Sequence, residues 1–306
     1  MTAARLFSTG DRPDFSAVLT LLKPVTWFAP MWAFLCGAIS SGAALADRWD
    51  LVLLGMLLAG PLVCGMSQAV NDWFDRHVDA LNEPHRPIPS GRIPGRWGLW
   101  IGILWTIACF AVAAPLGPWV LGATVVAAVL AWAYSAPPLR LKRDGWIGGA
   151  ACAFSYEGIA WFTGAAALLA AAPEPRIIAL AVLYSLGAHG IMTLNDFKSV
   201  DGDRRSGVRS LPARMGPDAA ARVACVAMAA PQLVVVALLW IWGAPIAAGI
   251  VAALLAGQAW LMRRYLLDRS RLAAEPLRSA ALYNATGTSL YVLGMMASAI
   301  ALRGLA

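Results

Sequence analysis

Apolar residues in this chain gather into nine long runs, at roughly 25–46, 51–73, 97–115, 118–135, 146–170, 176–197, 218–240, 243–262 and 281–302, with short polar stretches between them. Most runs are close to the ~20 residues that carry a helix across a bilayer core. Pro30, Pro61 and Pro231 fall inside runs, which bundled membrane helices tolerate by repairing the lost backbone bond locally. The pattern predicts an all-α integral membrane protein with about nine transmembrane helices around a central cavity.

Composition agrees, since 59% of the 306 residues are hydrophobic and 13% are charged. A soluble domain could not hide that much apolar surface. The net charge of +7 becomes informative once the runs are numbered. Of the 24 basic residues, Arg5, Arg12 and Lys23 precede run one, and all the others but Arg48, Arg176 and Arg303 fall in the connections after runs two, four, six and eight or, for Arg222, at the start of run seven. Cytoplasmic loops carry the Lys and Arg excess, so the N-terminus is expected in the cytoplasm and the C-terminus outside. Eight or ten spans would spoil this segregation. No basic module stands apart from the runs, which argues against nucleic-acid binding. The five cysteines (36, 64, 109, 152 and 225) have no metal-ligand spacing and read as small buried hydrophobes. Residues 1–22 hold Asp11 and Asp14 and no early apolar core, so no cleavable signal peptide is expected. They read as a cytoplasmic segment ahead of a single membrane domain, 23–306.

Chemistry enters at the ends of two runs. Asn71-Asp72-x-x-Asp75-x-x-x-Asp79 closes the second, and Asn195-Asp196-x-x-Ser199-x-x-x-Asp203 closes the sixth. At about 100° per residue, positions 0, +3 and +7 share one helix face, so each segment presents a column of polar groups. Ser199 stands where the first copy has Asp75. Further on, Arg86-Pro87-Ile88-Pro89 is echoed by Arg209-Ser210-Leu211-Pro212. Two four-helix repeats follow, about 25–135 and 146–262, with a ninth helix at 281–302. Carboxylates gathered at a membrane face need a positive partner. Oxygen-rich sites of this kind suit Mg²⁺, which commonly binds through a few carboxylates and substrate phosphates. Asp72, Asp75, Asp79, Asn195, Asp196 and Asp203 are therefore the candidate metal ligands, at the cytoplasmic rim. A transporter can also be built on repeats, but its binding groups would sit near the bilayer midplane.

These motifs resemble those of the UbiA-type intramembrane prenyltransferase superfamily. Asn71-Asp72-Trp73-Phe74-Asp75-Arg76, Asn82-Glu83-Pro84, Arg86-Pro87-Ile88-Pro89-Ser90-Gly91, Tyr134-Ser135-Ala136-Pro137-Pro138-Leu139 and Asn195-Asp196-Phe197-Lys198-Ser199 are similar to the branch that makes chlorophylls and bacteriochlorophylls. The resemblance runs from Lys23 onward. Ser199 departs from the fuller aspartate ladder of many superfamily members, which bears on what the second motif gives to a metal.

The resemblance implies Mg²⁺-dependent transfer of a geranylgeranyl or phytyl group from its diphosphate to the propionate of a bacteriochlorophyllide or chlorophyllide, in a bacterial inner membrane. Asp72, Asp75, Asp196 and Asp203 would then be catalytic, through the metal on the diphosphate. Asn71, Arg76, Arg86, Lys198 and the Tyr134/Lys142 pair are candidates for the phosphate oxygens, because charged donors bind phosphate strongly. A carboxylate acceptor is already ionised near neutral pH and needs no strong base. Arg140, Lys142 or Arg143 could steer it. His189, on nearly the same face as Asp196 and two turns away, either meets the pigment's magnesium or is a hydrogen-bonded core histidine. Glu157, an intramembrane acid, is either a site residue or a helix–helix partner. A quinone- or haem-type prenyltransferase and a non-catalytic isoprenoid or pigment carrier remain alternatives. Pigment-biosynthesis or light-harvesting assembly proteins are conceivable partners.

Overall fold

The computed structural model describes residues 12–305, so Arg5 and Asp11, used in the reading of the N-terminal segment, lie outside the described residues. The described residues are almost wholly helical. In chain order the elements are α1 (Phe15–Leu22), α2 (Phe28–Ser40), α3 (Trp49–Leu57), a π-helical segment (Leu58–Cys64), α4 (Gly65–Asn82), α5 (Trp97–Ala113), α6 (Pro118–Ser135) and α7 (Gly145–Ala153). A second π-helical segment (Phe154–Ile159) leads into α8 (Ala160–Leu169), α9 (Pro175–Asn195), α10 (Val200–Ser206), α11 (Leu211–Met215), α12 (Pro217–Ile241), α13 (Pro245–Tyr265), α14 (Arg269–Ala274) and α15 (Pro276–Arg303).

Local chemistry sets many of these boundaries. Pro118, Pro175, Pro217, Pro245 and Pro276 open their helices, where a missing N–H costs nothing. Pro61 lies inside the first π segment, and the wider turn accommodates a residue that cannot donate to the helical ladder. Asp14 caps α1 by accepting from the Ala17 amide at 2.8 Å.

Among the described residues, seven helices are long and apolar enough to cross a membrane, or eight if the pair Phe15–Thr26 and Phe28–Ser40, bent by 56°, forms one span. The expected count of nine is not reached on length and apolarity. The place of expected run five is still helical from Gly145 to Leu169, through the second π segment, but carries Glu157 near its middle. Run one is corrected as well. Helix α2 ends at Ser40, and the chain is already helical at Phe15, before the bend.

Close packing in lipid relies on small residues and interhelical hydrogen bonds. A Cβ on Gly37 would lie 1.9 Å from the Trp161 carbonyl oxygen, and one on Gly164 would lie 2.0 Å from that of Phe34. These two glycines let the backbones of α2 and α8 touch, and Trp161 Nε1 donates to Ser40 Oγ at 3.1 Å beside them. Between α12 and α13, buried Gln232 and Gln258 exchange amide hydrogen bonds of 2.9 and 3.1 Å. Such pairs contribute about 1 kcal/mol each in a membrane. A separate packed cluster unites Leu21 and Leu22 of α1, Ala69 and Trp73 of α4, Ile88 and Ile93 of the following loop, and Ile101 of α5. This cluster fixes the loop that carries Arg86.

Candidate active site

Helix α4 continues past the apolar run to Asn82, which carries the first acidic motif to one end of the bundle. Helix α9 brings the second motif to the same place, with Asp196–Lys198 in a 3₁₀ turn and Asp203 on α10. The loop between α6 and α7 docks against the chain entering α11. The Arg209 amide donates to the Arg143 carbonyl at 2.9 Å, and the Gly145 amide donates to the Arg209 carbonyl at 3.0 Å. A Cβ on Gly145 would lie 2.7 Å from Leu211 N, so glycine permits this approach. Asp144 caps α7, and the amides of Ile147 and Trp146 hold its carboxyl below the usual carboxylate range.

These elements enclose a polar pocket of about 910 Å³. Its walls include Asn71, Asp75 and Asp79 from the first motif and Asn195, Asp196 and Asp203 from the second. The basic residues Arg86, Arg140, Lys142, Arg143 and Lys198 line it too, as does Tyr134. Asp75 sits at the centre of a charged knot. It receives hydrogen bonds from Lys142 and, at 3.2 Å, from Asn71 Nδ2, while Arg140 Nη2 stands 3.5 Å away. Burial lowers the Lys142 pKa, and the neighbouring Asp75 opposes that shift. Across the pocket, Asp203 accepts from Ser210 Oγ at 2.6 Å and Ser199 Oγ at 2.9 Å. Ser199 thus orients an aspartate of its own column.

Four expected site residues stand elsewhere. Asp72 is 1% exposed and is not among the residues lining the pocket, held by Lys23 Nζ at 2.7 Å and Arg86 Nη1 at 3.3 Å. Arg76 lies 4.0 Å over the Trp73 ring and donates to the Trp73 carbonyl at 2.7 Å. His189 is buried, stacked on Trp146 and bonded to its carbonyl at 3.2 Å, the core-histidine alternative. Glu157 is buried away from the pocket, and its Oε2 has no partner among the described residues.

The remaining acids are hard oxygen donors on two facing walls, a donor set that fits Mg²⁺. Among the described residues, no three His, Cys, Asp or Glu side chains stand close enough to hold an ion unaided. That spacing suits a metal whose coordination is completed by phosphate oxygens.

Beside the polar pocket lies an apolar chamber of about 230 Å³, lined by residues such as Leu58, Val63, Ala127, Leu130 and Ile159. Asn71, Tyr134 and Cys152 border both spaces. Ser67, Thr124, Ser155 and Thr163 also line the chamber, yet each donates its hydroxyl to its own helix backbone at 2.7–2.8 Å. The hydrocarbon parts of these side chains are thereby left for the cavity. Gln68 and Tyr156 join across the chamber wall.

Sequence reasoning counted Lys23 only as a topological charge and passed over Gln68 and Tyr156. Gln68 stands three residues before Asn71, so it lies one turn deeper on the face that carries the motif. That spacing was the available signal.

The model of the UbiA prenyltransferase family matches residues 27–284. The chain is 58% identical to the Bacteriochlorophyll synthase 33 kDa chain of Cereibacter sphaeroides, over 96% of this chain and 95% of that one. It is 37% identical to the chloroplastic chlorophyll synthase of Arabidopsis thaliana, over 92% of this chain and 73% of that one. A UbiA homolog from Archaeoglobus fulgidus, solved bound to GPP and Mg²⁺, superposes with a TM-score of 0.69 at 21% identity, over 90% of this chain and 99% of that one. That likeness shows the shared fold. The chain belongs to the UbiA prenyltransferase family. Within it, the chain is similar over at least 93% of its length to proteins named bacteriochlorophyll synthase.

Proposed function

We propose that this protein esterifies the propionate of bacteriochlorophyllide with a geranylgeranyl or phytyl group taken from its diphosphate, releasing pyrophosphate. The observation that carries the transferase part is the shared border of Asn71, Tyr134 and Cys152 between a charged pocket and an apolar chamber. A prenyl diphosphate has that polarity, with an anionic head joined to a hydrocarbon tail. The acceptor comes from the relatives named bacteriochlorophyll synthase, at 58% and 52% identity.

In this reading Lys142, Arg86, Arg140 and Lys198 bind the diphosphate oxygens. Asn71, Asp75, Asp79, Asn195, Asp196 and Asp203 are the residues that would hold Mg²⁺. When bound, the metal neutralises charge that builds on the leaving group. The allylic C–O bond breaks with its electron pair going to pyrophosphate, and a propionate oxygen forms the new C–O bond. The acceptor is ionised already, so no proton has to be removed. Arg140 and Arg143 steer its charge, and the chamber keeps water from the allylic carbon. The excess of Lys and Arg in alternate connections supports a pocket that opens at the cytoplasmic face of a bacterial inner membrane.

The test offers membranes labelled geranylgeranyl diphosphate with bacteriochlorophyllide, its propionate methyl ester, or a hydroxybenzoate. Only the free acid should be consumed, with one pyrophosphate released per ester. Prenylation of the methyl ester or of the hydroxybenzoate would overturn the acceptor assignment.

A further inference from the structure

Asp72 heads the first acidic motif, yet it does not line the polar pocket and its carboxylate makes a buried contact with two cations. Lys23 Nζ lies 2.7 Å from Oδ1 and Arg86 Nη1 lies 3.3 Å from the same oxygen, while Oδ2 is buried with no partner among the described residues. Arg86 also holds Asp79 at 3.0 Å and forks onto both Glu83 oxygens at 2.6 and 2.7 Å. The hydrogen bond from Arg86 keeps the Glu83 carboxyl below its ordinary range.

The chain is shaped to deliver Lys23 to this point. Lys23 ends α1 in the left-handed region, with φ of 48°, a costly conformation for a residue with a side chain. Its carbonyl is clamped by the Thr26 amide at 2.9 Å and by Thr26 Oγ1 at 2.8 Å. Leu21 and Leu22 pack in one cluster with Ile88, two residues beyond Arg86. On its other side α1 exposes Phe15 and Leu19, apolar groups suited to a membrane interface.

We propose that Lys23 and Asp72 are positioning residues that set the Arg86 guanidinium at the pocket wall for the prenyl diphosphate, and that they tie this group to α1. Lys23 neutralises Asp72, so the buried carboxylate holds one Arg86 nitrogen without drawing the whole guanidinium from the pocket. Removing the lysine leaves a buried acid with Arg86 as its only cation. The guanidinium then turns toward Asp72 and away from phosphate. The inference rests on the prenyl diphosphate reading of the pocket.

The test measures binding of a non-hydrolysable geranylgeranyl diphosphate analogue to the full chain in lipid nanodiscs, together with steady-state KM and kcat. Lys23→Met should weaken analogue binding and raise the prenyl diphosphate KM by about tenfold, leaving kcat and the pigment KM within about threefold. Lys23→Arg should restore both, and Asp72→Asn added to Lys23→Met should cost little more, because the two act as one unit. A purely structural role would lower stability and affect both substrates alike, with no rescue of one KM. Wild-type binding with an unchanged Lys23→Met affinity would overturn the inference alone. Failure of the wild-type chain to bind the analogue would overturn the functional reading and this inference together.

Discussion

Gln68 Nε2 donates a 2.9 Å hydrogen bond to the Tyr156 hydroxyl and so links α4 to the second π segment at the wall of the apolar chamber. The same oxygen accepts from Cys64 Sγ at 3.3 Å, one turn back along the chain from Gln68. In an apolar setting an amide deprived of its partner keeps the full cost of lost hydration. This pair therefore offers a sensitive probe of the chamber.

Tyr156→Phe should destabilise the protein by about 1–3 kcal/mol, because it strands the Gln68 amide without adding space. Adding Gln68→Leu should recover part of that loss, since both partners are then apolar. Thermal unfolding in detergent gives the comparison. If the double variant were less stable than the sum of the two single changes, the linkage would not behave as one unit.

Ala131 lines the chamber, and Ala131→Phe should narrow it without touching the charged pocket. Turnover of geranylgeranyl diphosphate should drop by about tenfold relative to geranyl diphosphate, as the longer tail loses its place. Competition between the two donors in one reaction measures this ratio. A ratio that stays constant would mean that the tail lies elsewhere.

If Asp75 is a metal ligand as proposed, Asp75→Asn should reduce turnover by at least about 10²-fold while leaving abundance in the membrane near normal, since the change removes charge from a solvent-reachable pocket. A chelator should stop the unaltered protein, and added Mg²⁺ should restart it. Ser199→Ala should have a milder effect, because Asp203 retains Ser210. Full turnover in excess chelator would contradict the metal assignment.

Reporter fusions after Arg92, Arg143, Arg214 and Arg271 should report cytoplasm, and those after Asp47, Pro173 and Arg303 the opposite side. The assay is cheap and independent of activity. One clear inversion would require a different span count.

Hydrophobic runs located most of the helices because a bilayer imposes length as well as polarity. The run at 118–135 coincides with α6, and 218–240 falls inside α12. The first run differs because Lys23-Pro24 looks like the edge of a span, whereas the helical path begins at Phe15 and bends only between Thr26 and Phe28. The acidic motifs were legible as one site, because helical spacing and a shared end of the bundle are both written in the order of residues. The direction of Asp72 was not. Asp72, Asp75 and Asp79 occupy an arc about 60° wide, and the edge of the pocket falls within that arc. Which side of the edge a carboxylate takes depends on Lys23, a partner 49 positions away in sequence. The π segments were equally hidden, since the second contains no proline to announce it.

The chamber hydroxyls that bond back to their own helices have a consequence for product yield. An allylic cation released among mobile O–H groups would be captured as an ether or, with nearby water, as a prenyl alcohol. Serines and threonines held at backbone carbonyls are poorly placed for that attack, so on the proposed reaction a cation would outlast its leaving group long enough to meet the pigment. The ratio of pigment ester to free alcohol then reports how well these side chains stay occupied, and a single hydroxyl set loose in the chamber would lower it without slowing consumption of the diphosphate.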